Sequence, residues 1–384
     1  MRRLGQVYGE PLVVGGTLIA ATESNRVFGL NARTGRIRWK TALGRPQPSS
    51  GLPCGNIDPL GITGTPAYDA ATGSVFVVAE TVGGHHTLWA LNAATGHRRW
   101  HRSLDVLPTR NRKAEQQRAA LLVTHGRVLV SFGGLAGDCD NYVGYLTSTS
   151  VRGHGRTHRY AVPTAREGGM WATPGPVLGR NGHVYVSSGN GAATSGRWDK
   201  SDSVTELTAR RLHRRSVFAP STWRDDNAHD LDLGSMSPAM LPAAHRIVIA
   251  GKRGTVYLLR EHFRGVGSNI RKRAGCHAFG GSAVIRRTVL MPCLGENQVR
   301  ALHVGPARLH WAWSAGNVFG SPVIARSRVY VADRNSGDLV VLRLRNGHLV
   351  QRIHAGSLTH FPSEVVSGGF VFVPTLHGVT AFRG

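Results

Sequence analysis

Residues 9–39 read GEPLVVGGTLIAATESNRVFGLNARTGRIRW, and the same order of features returns twice more. Residues 64–100 read GTPAYDAATGSVFVVAETVGGHHTLWALNAATGHRRW, and residues 320–353 read GSPVIARSRVYVADRNSGDLVVLRLRNGHLVQRI. Each opens on Gly-x-Pro and a short apolar run, turns, and continues as an alternating run at 17–22, 74–80 or 328–333. A second turn leads to an apolar strand. A Thr-Gly or Asn-Gly turn then leads to a final strand, which carries Trp39 and Trp100 in the first two copies. Alternation at period two between Gly and Asn turns marks strands joined as hairpins, so each copy is one four-stranded antiparallel sheet.

Weaker copies open near Ala120, Pro174, Pro238, Ser282 and Ser363. With Pro11, Pro66 and Pro322 they make eight units of about 48 residues, inside the ~40–50-residue range of propeller blades. A sheet with two apolar faces must bury both, and radial packing does so without long free edges. The expected fold is therefore all-β: an eight-bladed β-propeller of four-stranded antiparallel blades, one domain over residues 1–384. A two-domain β-sandwich fits the even repeat less well.

Composition agrees. The chain has 384 residues with 49 Gly, 18% charged and 41% hydrophobic residues, against roughly 7% Gly and about 25% charge in an average chain. That excludes a coiled coil, and the recurring apolar runs exclude disorder. No stretch reaches the ~18 apolar residues of a membrane span. The formal net charge is +25, and of 47 basic residues all are Arg except Lys40, Lys113, Lys200, Lys252 and Lys272. The arginines stand one or two at a time in turns, with short clusters at 110–113, 210–215 and 271–273. Nucleic-acid binding asks for a concentrated stripe or motif, so solvated loop charge is the reading taken here.

The last unit ends HGVTAFRG at Gly384, after its third strand. Only MRRLGQ precedes the first opener, too short for a well-packed closing strand with its connection, and no charged segment followed by an apolar run resembles a signal peptide. The last blade is expected to be incomplete, with Met1 an internal start.

Four cysteines lack the spacing of a zinc or haem site. Cys54 falls between the first two units, and Cys139 between the second and third strands of the third. Cys276 precedes the first strand of the sixth unit, and Cys293 follows its second. All four positions emerge on one face of a propeller. Disulfides Cys276–Cys293 and Cys54–Cys139 are expected, which place the protein outside a reducing compartment, secreted or in the cell envelope. Four buried free thiols in a cytosolic protein are the alternative. The pair His85–His86 reads as an exposed hairpin tip.

The blade endings FGLNARTGRIRW and LWALNAATGHRRW resemble the PQQ-like repeat of the quinoprotein alcohol dehydrogenase-like family, and the likeness covers nearly the whole chain. EGGMWATPGPVLGRNGHVYVSSGNG (167–191) resembles the passage whose Trp underlies the quinone, which implies Trp171 as the platform and Asn190 as a calcium ligand. STWRDDNAHDLDLGSMSP (221–238) resembles the stretch with the general base, implying Asp232, with Asp230 next. AGKRGTVYLL (250–259) implies Lys252 beside the quinone. The demands agree with the chemistry: a planar tricarboxylated quinone wants an aromatic floor and cations, calcium wants carboxylate and amide oxygens, and alcohol oxidation wants a carboxylate base. Where that family has a calcium-binding Glu this chain has Cys139, or Asp138 with one gap, and Cys is a poor ligand for a hard cation. The family's vicinal cysteine pair and a haem outlet are missing from the sequence.

Each of these residues also has a structural reading. Trp171 can pack between blades, Asn190 can serve its turn, the Asp-rich loop can bond backbone amides, and Lys252 can be a strand-end charge. The first functional reading is a non-catalytic scaffold of the envelope or exterior. It is expected to be a monomer without a membrane span, binding an unknown protein or small ligand on its loop face. The alternative is a PQQ- and calcium-dependent dehydrogenase resembling the polyvinyl-alcohol branch. An anionic-polymer binder is a third class, with no motif behind it.

Overall fold

The computed structural model describes residues 2–241 and 244–384. The first blade pairs Leu12–Val14, Thr17–Ala21, Arg26–Asn31 and Ile37–Ala42 in simple antiparallel order. The same order recurs over 67–103, 122–161, 177–219, 239–274, 283–316 and 322–354. In the eighth blade Val365–Ser367, Phe370–Thr375 and Gly378–Arg383 come from the end of the chain. First strands of neighbouring blades touch along much of the axis, including the eighth against the first, and the sheets form a ring.

The eighth blade takes three full strands from the end of the chain, as expected, and the residues of MRRLGQ add a short pairing to it. Arg2–Arg3 pairs antiparallel with Val379 and Gly378 and serves as a two-residue fourth strand. Leu4 N–H and Val7 N–H then donate to the carbonyls of His377 and Thr375, holding the connection down. A few backbone bonds suffice because Leu4 and Val7 bury their side chains beside Phe28 and Phe372. Met1 lies outside the described residues.

The repeat's Trp has a packing reason. Trp39 lies against Gly29 of its own blade and against Gly96 in the Thr-Gly turn of the next blade. A Cβ at either glycine would overlap its ring. Trp100 meets Gly153 of the third blade and Trp313 meets Gly347 of the seventh in the same way. The Trp100 and Trp313 indoles donate to the carbonyls of Val151 (3.2 Å) and Leu344 (3.0 Å) in those turns. Each motif is thus a latch between blades, written half in one unit and half in the next.

Second strands such as Ser74–Thr81 and Arg127–Gly134 are almost wholly buried, while fourth strands such as Leu349–His354 are mostly exposed. Strand alternation sorts the connections onto two faces. Blade-to-blade segments and second-to-third-strand loops emerge on one, here the loop face. First-to-second and third-to-fourth turns emerge on the other, the turn face. Long excursions (43–66, 104–121, 162–176, 189–202 and 220–238) belong to the loop face.

His85 is exposed as expected, its ring 2.8 Å from Asp105, but His86 is not part of a free tip. The turn falls at 82–84, and His85–Asn92 is a strand. His86 is fully buried, its Nε2 3.2 Å from Glu80 Oε2 and its N–H donating to Asp105 Oδ1. The expectation placed the turn too late, because Gly83-Gly84 already makes it. Among the described residues no helix is long and apolar enough to cross a membrane.

Candidate functional site

Trp171, Phe279, Phe319 and Phe361 occupy equivalent places in four blades, a few residues before the first strand. Ring symmetry brings them to the axis. Phe279 and Phe361 are parallel at 6.0 Å, and Trp171 sits 6.2 and 6.1 Å from them. Above this group on the loop face opens a cavity of about 230 Å³, lined among others by Asp138, Trp171, Lys252, Arg118 and His360. A narrower crevice continues from it, bounded by Asp138, Trp171, Asn190, Asp230, Asp232 and Lys252. All five residues nominated for cofactor, metal and base thus line two adjoining spaces.

Their bonding is more specific than their proximity. Lys252, in the hairpin of the fifth blade, bonds Asp230 Oδ1 and places its Nζ 3.0 Å from Asp232 Oδ1. The same ammonium stands 5.8 Å from the Trp171 and Phe279 ring centroids. Burial opposes its charge, but Asp232 and Asp230 outweigh burial and hold its pKa above the ordinary lysine value. Asp232 is 1% exposed, and burial pushes its carboxyl up against the pull of Lys252. Asp232 Oδ2 accepts from Gly234 N–H at 3.0 Å. A Cβ at Gly189 would overlap that oxygen, so the chain is pared to glycine around the carboxylate.

Asn190 Nδ2 donates to Asp230 Oδ1 at 2.6 Å, while its buried Oδ1 has no partner among the described residues. Asp138 adopts a left-handed backbone beside Cys139, and its carboxylate accepts from the Tyr142 hydroxyl. Both pairings expected for the cysteines are present: Cys54–Cys139 with 6.2 Å between Cα atoms, and Cys276–Cys293 with 4.8 Å. The first fastens the 43–66 connection to the loop that carries Asp138.

Several site residues had no expectation attached. Arg118 is 8% exposed and lines both the axial cavity and a second space of about 240 Å³. It donates to the His360 carbonyl at 2.6 Å and lies 5.7 Å from the Tyr8 ring, with no acid within ion-pair distance among the described residues. Burial lowers its pKa to about 10 although Glu23 and Tyr8 favour its charge. In the sequence it is one arginine among 42. Phe279 and Phe361 were legible in principle, because an aromatic recurs just before the first strand in four units. Asp202 was also missed. It is fully buried, with Oδ1 accepting from Leu233 N–H, and burial together with Asp226 and Asp232 pushes its carboxyl well up.

The fit to the implied cofactors can be judged on these contacts. The Lys252 ammonium already bonds Asp230, the partner of Asn190, and pairs with Asp232, while Tyr142 engages Asp138. Among the described residues no cluster of three or more His, Cys, Asp or Glu side chains is set to hold a metal. An aromatic floor and two cations of the kind a quinone wants are present, yet the cavity falls below the ~300–1,000 Å³ of small-molecule sites. The side chains as arranged do not fit quinone with calcium.

An eight-bladed ring with Trp latches and an axial loop-face cavity defines a PQQ-like β-propeller. The chain belongs to the family described as outer membrane protein assembly factor BamB (PQQ_2), whose model matches residues 3–237. Among solved structures it is similar to BamB from Moraxella catarrhalis, at 17% identity over 99% of this chain and 94% of that one, with a TM-score of 0.66. It is also similar to a quinohemoprotein alcohol dehydrogenase from Comamonas testosteroni (18%, 97% and 70%, TM-score 0.71). A europium-containing methanol dehydrogenase aligns comparably (14%, 97% and 84%, TM-score 0.73). Likeness at such identities establishes the fold. A search of curated protein sequences returns no match.

Proposed function

We propose that this chain is a non-catalytic binding scaffold, a single propeller domain acting as a monomer in the envelope or outside the cell. One observation carries the reading: Lys252 neutralises the candidate base. A carboxylate that must take a proton from an alcohol needs open approach and a free lone pair. Asp232 is buried, bonded to Gly234 and paired with an ammonium. What remains available on the loop face is recognition: an aromatic group, the cation Arg118 and long connections stapled by two disulfides. Oxidising surroundings follow from those bonds. The ligand or protein bound there is of unknown identity.

The dehydrogenase reading keeps one supporting feature, the Trp171 platform with Lys252 and Arg118 nearby. Mixing the protein with PQQ and Ca²⁺ and then with alcohols separates the two. The expected result is no stoichiometric binding at tens of micromolar and no quinone reduction. Tight binding that disappears in Trp171→Ala and Asn190→Ala, with alcohol-dependent reduction, overturns the scaffold.

A further inference from the structure

The arginines that look scattered along the chain are gathered by the fold. Turns joining first to second and third to fourth strands carry them at their tips, and ring symmetry sets those turns on one face. Between the third and fourth blades, Arg156, Arg159, Arg210 and Arg211 with His158 and His213 line a shallow depression of about 570 Å³. On the seventh blade, Arg326, Arg328, Arg343 and Arg345 line another of about 710 Å³. Among the described residues none of these arginines has a carboxylate within 4.0 Å, whereas Arg166, Arg253 and Arg352 on the loop face are all paired.

Acids are nearly absent from the turn face. Asp69 accepts from the Thr72 N–H and hydroxyl, Glu206 is buried between His183 and His262, and Glu261 lies 3.6 Å from His245. Every other Asp and Glu lies in a loop-face connection or at a strand end feeding one. His158 registers the resulting field. Burial and then Arg127, Arg156, Arg211 and Arg210 hold its imidazole below the ordinary value.

We propose that the turn face docks onto an anionic phospholipid bilayer, with its arginines on the headgroup phosphates. Three features favour a bilayer over a soluble polyanion. The turns are short and spread round several blades, so the cations form a broad face instead of a groove that a strand could follow. Arginine forks suit phosphate oxygens. Exposed Ile37, Leu178 and Leu349 (42%, 41% and 59%) stand at strand ends on the same face, where aliphatic side chains settle among headgroups but gain nothing from a sugar or nucleic-acid chain. Docked this way, the disc turns its cavity and long loops away from the membrane. The inference is independent of the scaffold reading, since it uses the opposite face.

Sedimentation of the full chain with vesicles tests it. The protein is expected to pellet with vesicles containing phosphatidylglycerol but not with pure phosphatidylcholine at about 0.1 M salt, and to be released near 1 M, where the screening length falls from ~10 to ~3 Å. Replacing Arg210, Arg211, Arg343 and Arg345 together by Ser is expected to weaken binding at least ~10-fold, since each cation at such a surface contributes a factor of about five. Arg345→Glu alone moves it the same way if the quadruple variant does not fold. Arg45→Ser with Arg197→Ser, on the loop face, leaves it unchanged. Equal binding to neutral vesicles, equal loss in the loop-face pair, or heparin retention without vesicle binding each overturns the proposal.

Discussion

On one face of this ring the connections are long, acidic and cross-linked; on the other they are mostly short, basic and nearly without acids. Both are made by the same four-stranded repeat, so the difference lies in what the unit does between its strands. Segments 43–66 and 220–238 leave the repeat long enough to acquire a disulfide in one case and an Asp-rich turn with a short helix in the other. The turn face stays close to the minimum that antiparallel geometry requires, as at Gly15-Gly16 and Gly368-Gly369. Positions released from packing on that face have filled with arginine. Regular structure therefore sits beside cations without acid partners, and irregular structure beside nearly all of the acids.

The contrast gives an ordered set of expected effects. Opening Cys54–Cys139 with Cys54→Ser and Cys139→Ser frees a cross-link spanning 85 residues and should lower stability by about 4.5 kcal/mol, against about 3 for Cys276–Cys293 across 17. Thermal unfolding with and without reductant reads both. Trp39→Ala removes a latch that is 8% exposed and should lower stability by about 3–5 kcal/mol in denaturant melts.

Next comes pH. Burial raises Glu23 and Glu364 to about 8, and Glu80 with Asp105 raises His86 to about 10 although burial opposes its charge. The unfolded carboxyls lose their protons near the ordinary 4.5 while the folded ones keep them to about 8. Stability therefore falls as pH rises through that window. The His86 contribution is full below 6.5 and is lost toward about 10, in the same direction. Melting is expected to weaken steadily from about pH 5 to pH 9, by up to about 1.4 kcal/mol per pH unit for each proton involved. Glu23→Gln should flatten the lower half, and an unchanged slope in that variant would contradict the assignment. Smallest of all, Arg343→Ser on the turn face should change stability by less than about 0.5 kcal/mol. A larger loss would mean that the arginines serve the fold and not the surface.

The blade was legible because its signals are local: period-two runs, Gly turns and a Trp at a fixed offset. The cysteine pairs followed, since strand parity alone decides which face a loop joins. Trp171, Asn190, Asp232 and Lys252 were placed together by resemblance to a repeat whose loops meet at one axis. What the sequence hid is set by the third dimension. Lys252 and Asp230 are 22 residues apart and meet only when the connection before the fifth blade folds against that blade's hairpin, so neutralisation of Asp232 leaves no trace in either segment. Arg118 has its neighbour at His360, 242 residues away. The short pairing of Arg2–Arg3 was missed because two paired residues are too few for a pattern. The basic face was missed because its arginines come from separate turns, within the seventh blade and across the third and fourth, which only the folded ring brings together.

Deuterium exchange on anionic vesicles compares the two faces in a single measurement. If they divide their work as described, amides in turns 209–213 and 344–348 slow on docking while those in 43–66 and 220–238 exchange as in the free protein. Slowing confined to the long connections, with the arginine turns unaffected, would contradict that division.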